Sequence, residues 1–119
     1  MYSDLFLDHF RNPRNVGQLP APAVTVEIEN PACGDVLRLS ARWEGDRVGE
    51  ARYQVRGCSA SIAAGSALAG WLPGKTRSEM SELKAGDLEA AVGGLAPESH
   101  HAAALCIDGV RALLRSAGA

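Results

Sequence analysis

Three separated stretches of this chain carry side chains that can hold a metal. The first is ACGDV, residues 32–36, where Cys33 and Asp35 flank Gly34. The glycine permits a tight backbone, so a thiolate and a carboxylate can point at one spot, and both are anionic metal ligands. Taken alone, the stretch reads first as a β-turn with an incidental cysteine. The second is RGCSAS, residues 56–61, with Cys58 where an alternating run gives way to a helical one. A helix start favours a thiolate through its dipole and free N–H groups. The plainer reading is a small buried residue at a strand end. The third is SHHAAALC, residues 99–106, with His100, His101 and Cys106. Histidine is the commonest neutral metal ligand, and one of the pair should point inward, but the pattern does not say which.

The elements that must position these residues follow from periodicity. SDLFLDHF opens with Ser3 as an N-cap and predicts a short helix that stops before Pro13. Residues 11–23, with Gly17, Pro20 and Pro22, read as a loop. VTVEIE, VLRLSARW and VGEARYQVRG alternate apolar and polar, and EGDR between the last two is a hairpin turn. Together they predict an antiparallel meander of three strands. The period then lengthens. Ser59 to Leu72 predicts a helix of small residues closed by Pro73-Gly74. TRSEMSEL is a helical turn capped by Thr76 or Ser78, and AGDLEAAVGG is another with Asp87 as N-cap. ESHHAAALCIDGVRALLRS is a long helix whose apolar stripe runs Ala102, Leu105, Cys106, Gly109, Val110 and Leu113. Strands followed by helices predict an α+β fold: a three-stranded antiparallel sheet with helices packed on one face. That fold would gather the three ligand-bearing stretches at one end.

The 119 residues suit a single domain spanning 1–119. The formal net charge is −2 with both signs dispersed, which points to no nucleic acid and no membrane surface as partner. There is no apolar run of about 18 residues. The first residues lack the pattern of a signal peptide, so a cytoplasmic location is expected. Three cysteines in a reducing compartment are read as core, ligand or reactive thiol before disulfide.

Over almost its whole length the chain resembles the IscU/NifU-type iron–sulfur cluster assembly scaffold family, which includes the related SufU branch. YSDLFLDHFRNPRNVG resembles the family's N-terminal pattern, PACGDVLRL its first cysteine loop, and ARYQVRGCSASIAAGSALAGWLPGK its strand, second cysteine and following helix. The resemblance implies a non-enzymatic scaffold that takes sulfur from a cysteine desulfurase, assembles a transient [2Fe–2S] cluster from iron, and passes it to acceptor proteins. It also implies iron or Zn²⁺ binding in the cluster-free state. Carried over by position, the implied ligands are Cys33, Asp35, Cys58 and His101.

Two departures stand out. The family pattern has a cysteine directly after the histidine, where this chain has Ala102, and its third cysteine comes four residues later at Cys106. One helical turn rises about 5.4 Å, so Cys106 is expected to be a core thiol; a helix slid by a turn would make it an alternative ligand. LAPES stands where the IscU branch has a Leu-Pro-Pro-Val-Lys segment gripped by an Hsp70-type chaperone, which weighs against that partner. Alternative readings are a SufU-like zinc-binding sulfur-transfer protein, or a divergent metal-binding paralogue without scaffold activity. The SufU branch carries an insertion between its second and third cysteines and usually no histidine at the position of His101, and this chain differs on both counts.

Overall fold

Local chemistry sets the element boundaries. In the computed structural model, which describes residues 3–31 and 34–117, helix α1 spans Asp4–Arg11. The Ser3 side chain accepts from the Phe6 N–H at 3.0 Å, as an N-cap should, and donates to the Val92 carbonyl at 2.7 Å. Strands β1 (Val24–Glu29), β2 (Val36–Glu44) and β3 (Arg47–Arg56) form an antiparallel sheet in the order β1-β2-β3. The β2–β3 turn falls at Gly45-Asp46, with Gly45 at φ +62°. Helix α2 is Ser59–Trp71, α3 is Arg77–Glu82, α4 is Ala85–Ala91, and α5 is His100–Ala117 after a 3₁₀ turn at Pro97–Ser99.

Thr76, not Ser78, caps α3 and forms a capping box with Glu79. Asp87 is not the N-cap of α4. Lys84 holds that position, and Asp87 sits three residues in, where its carboxylate accepts the Lys84 N–H at 2.9 Å. The sequence pattern cannot tell these two placements apart, because an aspartate satisfies free N–H groups from either side of a helix start.

The helices lie on one face of the sheet. Leu37 is registered with Val55 and Leu39 with Tyr53, so all four side chains share a face. Helix α2 packs on β3, and α5 packs on β1 and β2. Both approaches depend on missing side chains. A Cβ on Gly65 would lie 2.6 Å from two ring carbons of Tyr53 and 3.4 Å from Val55. A Cβ on Gly109 would lie 2.9 Å from Leu37 and 3.4 Å from Leu39. Helix α2 is enclosed on several sides, by the sheet, α1, α4 and α5, which is why it is built of alanine, serine and glycine. The Tyr53 hydroxyl donates to the Ile62 carbonyl at 3.0 Å, and burial pushes its pKa up to about 12.

The Asp8 to Asn15 stretch staples α1 to α2. The buried Ser66 hydroxyl accepts from the Arg14 N–H at 3.0 Å and lies 2.8 Å from Nδ1 of His9. Arg14 Nη1 is 3.3 Å from the same nitrogen. A guanidinium only donates, so this nitrogen is the acceptor and His9 is neutral here. Burial, and then the Arg14 charge, hold the His9 pKa below its usual value. Arg14 also pairs with Asp8, and Asn15 donates to the Ala69 carbonyl at 3.0 Å.

Filling the space above Tyr53 should be costly. Gly65→Ala is expected to destabilise the fold by about 1–3 kcal/mol, as overpacked cores do. Urea unfolding should show a lower midpoint at an unchanged slope, and an unshifted midpoint would mean α2 is free to move off the sheet.

Candidate metal centre

The site lies where β2 begins and where α2 and α5 begin. Gly34, at φ +77°, turns the chain into β2, and its N–H donates to the Asn30 carbonyl at 2.7 Å while the Asn30 N–H donates to the Asp35 carbonyl at 2.8 Å. That closed loop sends the Asp35 side chain inward, where the residue is 5% exposed. Cys58 is the N-cap of α2 and is exposed. His101 is in the first turn of α5, and its side chain is 28% exposed.

The three side chains converge. Cys58 Sγ is 3.3 Å from Asp35 Oδ2 and 3.6 Å from His101 Nε2, and Nε2 is 3.5 Å from Oδ2. Among the described residues, these three offer ligand atoms that all lie within 4.8 Å of one another. The His101 ring is already oriented: Nδ1 is 3.1 Å from the Glu98 carbonyl. A carbonyl only accepts, so Nδ1 carries a proton, and Nε2 is the ring nitrogen turned toward the thiol and carboxylate. Backbone carbonyls fix metal-binding histidines in this way.

A buried carboxylate must be satisfied, and Asp35 is. Burial pushes its pKa up, but hydrogen bonds from the Ser61 hydroxyl, the Cys58 thiol and the Cys58 N–H, with the nearby His101, outweigh burial and hold the carboxyl below its usual value. Ser61 Oγ donates to Oδ2 at 2.6 Å and is 3.5 Å from Cys58 Sγ. Gly57 makes room on the other side, since a Cβ there would fall 2.5 Å from the Asp35 Cγ and 2.6 Å from Oδ1. Sequence reasoning missed both Gly57 and Ser61. Their signal was present in RGCSAS, but a missing side chain and an ordinary hydroxyl announce no chemistry until a carboxylate is seen between them.

The remaining residues separate clearly. Cys33 lies outside the described residues. His100 faces Glu89, with Nε2 3.2 Å from its carboxylate, and does not join the cluster. Ala102 is wholly buried. Cys106 is 1% exposed in the core, and burial pushes its thiol up to about 12.

Residues 1–116 match the family of the NifU-like N terminal domain. The chain is similar to the bifunctional protein NifU/MnmA of Rubrobacter xylanophilus, 41% identical over 109 residues that make up 90% of this chain and 22% of that protein, so it spans only a minor part of that relative. It is 36% identical to the iron-sulfur cluster assembly scaffold protein IscU of Azotobacter vinelandii over 118 residues, 96% of this chain and 91% of the relative. It is 39% identical to the zinc-dependent sulfurtransferase SufU of Bacillus subtilis over 75 residues, 63% of this chain and 50% of the relative. In fold it matches a crystal structure of an iron-sulfur cluster assembly scaffold protein for the SUF system from Fervidobacterium islandicum, with a TM-score of 0.77 at 19% identity, covering 95% of this chain and 96% of that one.

Cys106 should be chemically silent in the folded protein. With its pKa near 12, its thiolate fraction at about pH 8 is on the order of one part in 10⁴. In a Cys33→Ser background, an alkylating reagent should label Cys58 in the native protein and Cys106 only after denaturant is added. Rapid native labelling of Cys106 would mean α5 had shifted its register.

Proposed function

The chain belongs to the NifU-like N-terminal domain family, and on that footing we propose that it is an iron–sulfur cluster assembly scaffold. In this reading it works as one domain in the cytoplasm, receives sulfur from a cysteine desulfurase, assembles a labile [2Fe–2S] cluster with iron, and hands it to acceptor proteins. The cluster and its iron are cargo, and the protein is a scaffold rather than a catalyst. Among the described residues, no helix is long and apolar enough to cross a membrane.

One observation carries the reading: the convergence of Asp35, Cys58 and His101 from three elements, with Nε2 of His101 turned toward the other two. The donor set fits the cargo. Thiolate and imidazole both ligate iron in iron–sulfur clusters, and histidine can stand in for cysteine on one iron. A carboxylate is a harder and weaker partner for this soft centre, which suits a cluster that must leave. Cys33, two residues before Asp35, is proposed as the further thiolate of the set.

A second reading is zinc-binding sulfur transfer. It draws on the similarity to the Bacillus sulfurtransferase. It also draws on the suitability of sulfur, nitrogen and oxygen donors for a tetrahedral Zn²⁺ site.

Anaerobic reconstitution with ferrous iron and sulfide separates the two readings. A scaffold should gain visible absorption that moves to the ferredoxin fraction when an apo-ferredoxin is added as acceptor and the two proteins are separated. The zinc reading instead expects about one tightly held Zn²⁺ per chain that iron and sulfide do not displace. Under either reading, Cys58→Ala should lose most of the bound metal, as counted by elemental analysis. Full retention of metal in that variant would remove Cys58 from the ligand set.

A further inference from the structure

Asp35 presents one particular oxygen to the cluster. Oδ2 faces Cys58 Sγ at 3.3 Å and His101 Nε2 at 3.5 Å. Yet the terminal torsion of an aspartate is broad and nearly two-fold, so nothing intrinsic to the side chain keeps that oxygen in place. Two neighbours do. Gly57 permits the carboxylate to lie against its backbone on the Oδ1 side. Ser61 is in the first turn of α2 and is 1% exposed. A serine there usually bonds a backbone group of its own helix or faces solvent. This one is turned across to another element, donating to Oδ2 at 2.6 Å. That separation is typical of a charge-assisted O–H···O⁻ bond, roughly twice as strong as a neutral one.

We infer that Ser61 is a positioning residue for the metal or cluster cargo: its hydroxyl fixes the rotation of the Asp35 carboxylate so that Oδ2 faces Cys58 and His101, and thereby sets how tightly the cargo is held. The hydroxyl uses one lone pair of Oδ2; the other, which the Cys58 thiol faces at 3.3 Å, becomes open to a metal once that thiol gives up its proton. Ser61 is itself no ligand in this arrangement. Its hydroxyl also lies 3.5 Å from Cys58 Sγ, but the short bond is to Asp35, and dependence on Asp35 separates it from a residue that merely fills space. The inference rests on the metal-holding role proposed above for Asp35, Cys58 and His101.

The test is a double-mutant cycle read by Zn²⁺ affinity, from competition with a chelating dye, and by the ligand-field spectrum of bound Co²⁺. Loss of an outer hydrogen-bonding partner typically lowers metal affinity about 10- to 100-fold, and Ser61→Ala is expected to do the same. In the Asp35→Ala background, Ser61→Ala should change affinity by less than about 2-fold, because its partner is gone. Ser61→Thr, which keeps the hydroxyl, should stay close to the parent protein in affinity and Co²⁺ spectrum, and it carries the test if Ser61→Ala does not fold. The inference is overturned if Ser61→Ala binds as the parent does, if its loss persists undiminished without Asp35, or if Ser61→Thr falls as far as Ser61→Ala. A parent protein that binds neither Zn²⁺ nor Co²⁺ would instead bring down the metal-holding role itself, and this inference with it.

Discussion

Close approach of two helices to one sheet is the constraint on which everything else rests. Helix α2 lies so near β3 that Gly65 sits against the Tyr53 ring, and α5 lies so near β2 that Gly109 meets Leu37 and Leu39. A helix lifted by one methyl group at either point would carry its N-terminus away from the end of the sheet. At that end α2 begins at Cys58, α5 begins beside His101, and β2 begins after Asp35. The glycines in mid-helix weaken each helix locally, by roughly 0.5–1 kcal/mol relative to alanine. The small spacing they allow brings the three starting points into register.

Within that frame the site is ordered by its most buried member. Asp35 is nearly inaccessible, whereas Cys58 is exposed and His101 lies between. A buried carboxylate is tolerated only when its lone pairs are met, and four groups from the starts of α2 and α5 attend to it. The exposed thiol and the half-buried imidazole are then presented around a fixed anion. His101 is held by the Glu98 carbonyl in the 3₁₀ turn that introduces α5, so even the tautomer follows from backbone placement.

The elements were legible in the sequence because burial on one face imposes a period: VTVEIE and the stripe through Leu105, Val110 and Leu113 state their geometry outright. That the three ligand-bearing stretches would meet at one end followed from the expected fold, but the set Asp35, Cys58 and His101, 23 and 43 residues apart along the chain, was legible only through family resemblance. The residue pattern left His100 and His101 open; the resemblance chose His101, and the phase of α5 after the 3₁₀ turn turns that ring toward the cluster. Gly57 and Ser61 were illegible for a different reason. One acts by lacking a side chain, the other by accepting an unusual orientation, and neither leaves a pattern. The role of the Asp8–Asn15 stretch was also hidden. Its conspicuous polar residues staple α1 and its loop to α2 through Ser66 and the Ala69 carbonyl.

The same staple has an effect at the far edge of the sheet. Asn15 and Gly17 bond the main chain of Tyr53, so Val16 runs beside β3 in a short parallel bridge. An open strand edge is a template on which a second chain can add, and small sheets are especially prone to such self-association. Here the middle of β3 is already occupied by the protein's own loop. The opposite edge, β1, is six residues long and turns Glu27 and Glu29 outward. Short length and charged side chains, Glu27 paired with Arg38 of β2, discourage copies from adding there. A sheet of only three strands is thus guarded at both margins, by a tethered loop on one side and by a short, charged strand on the other.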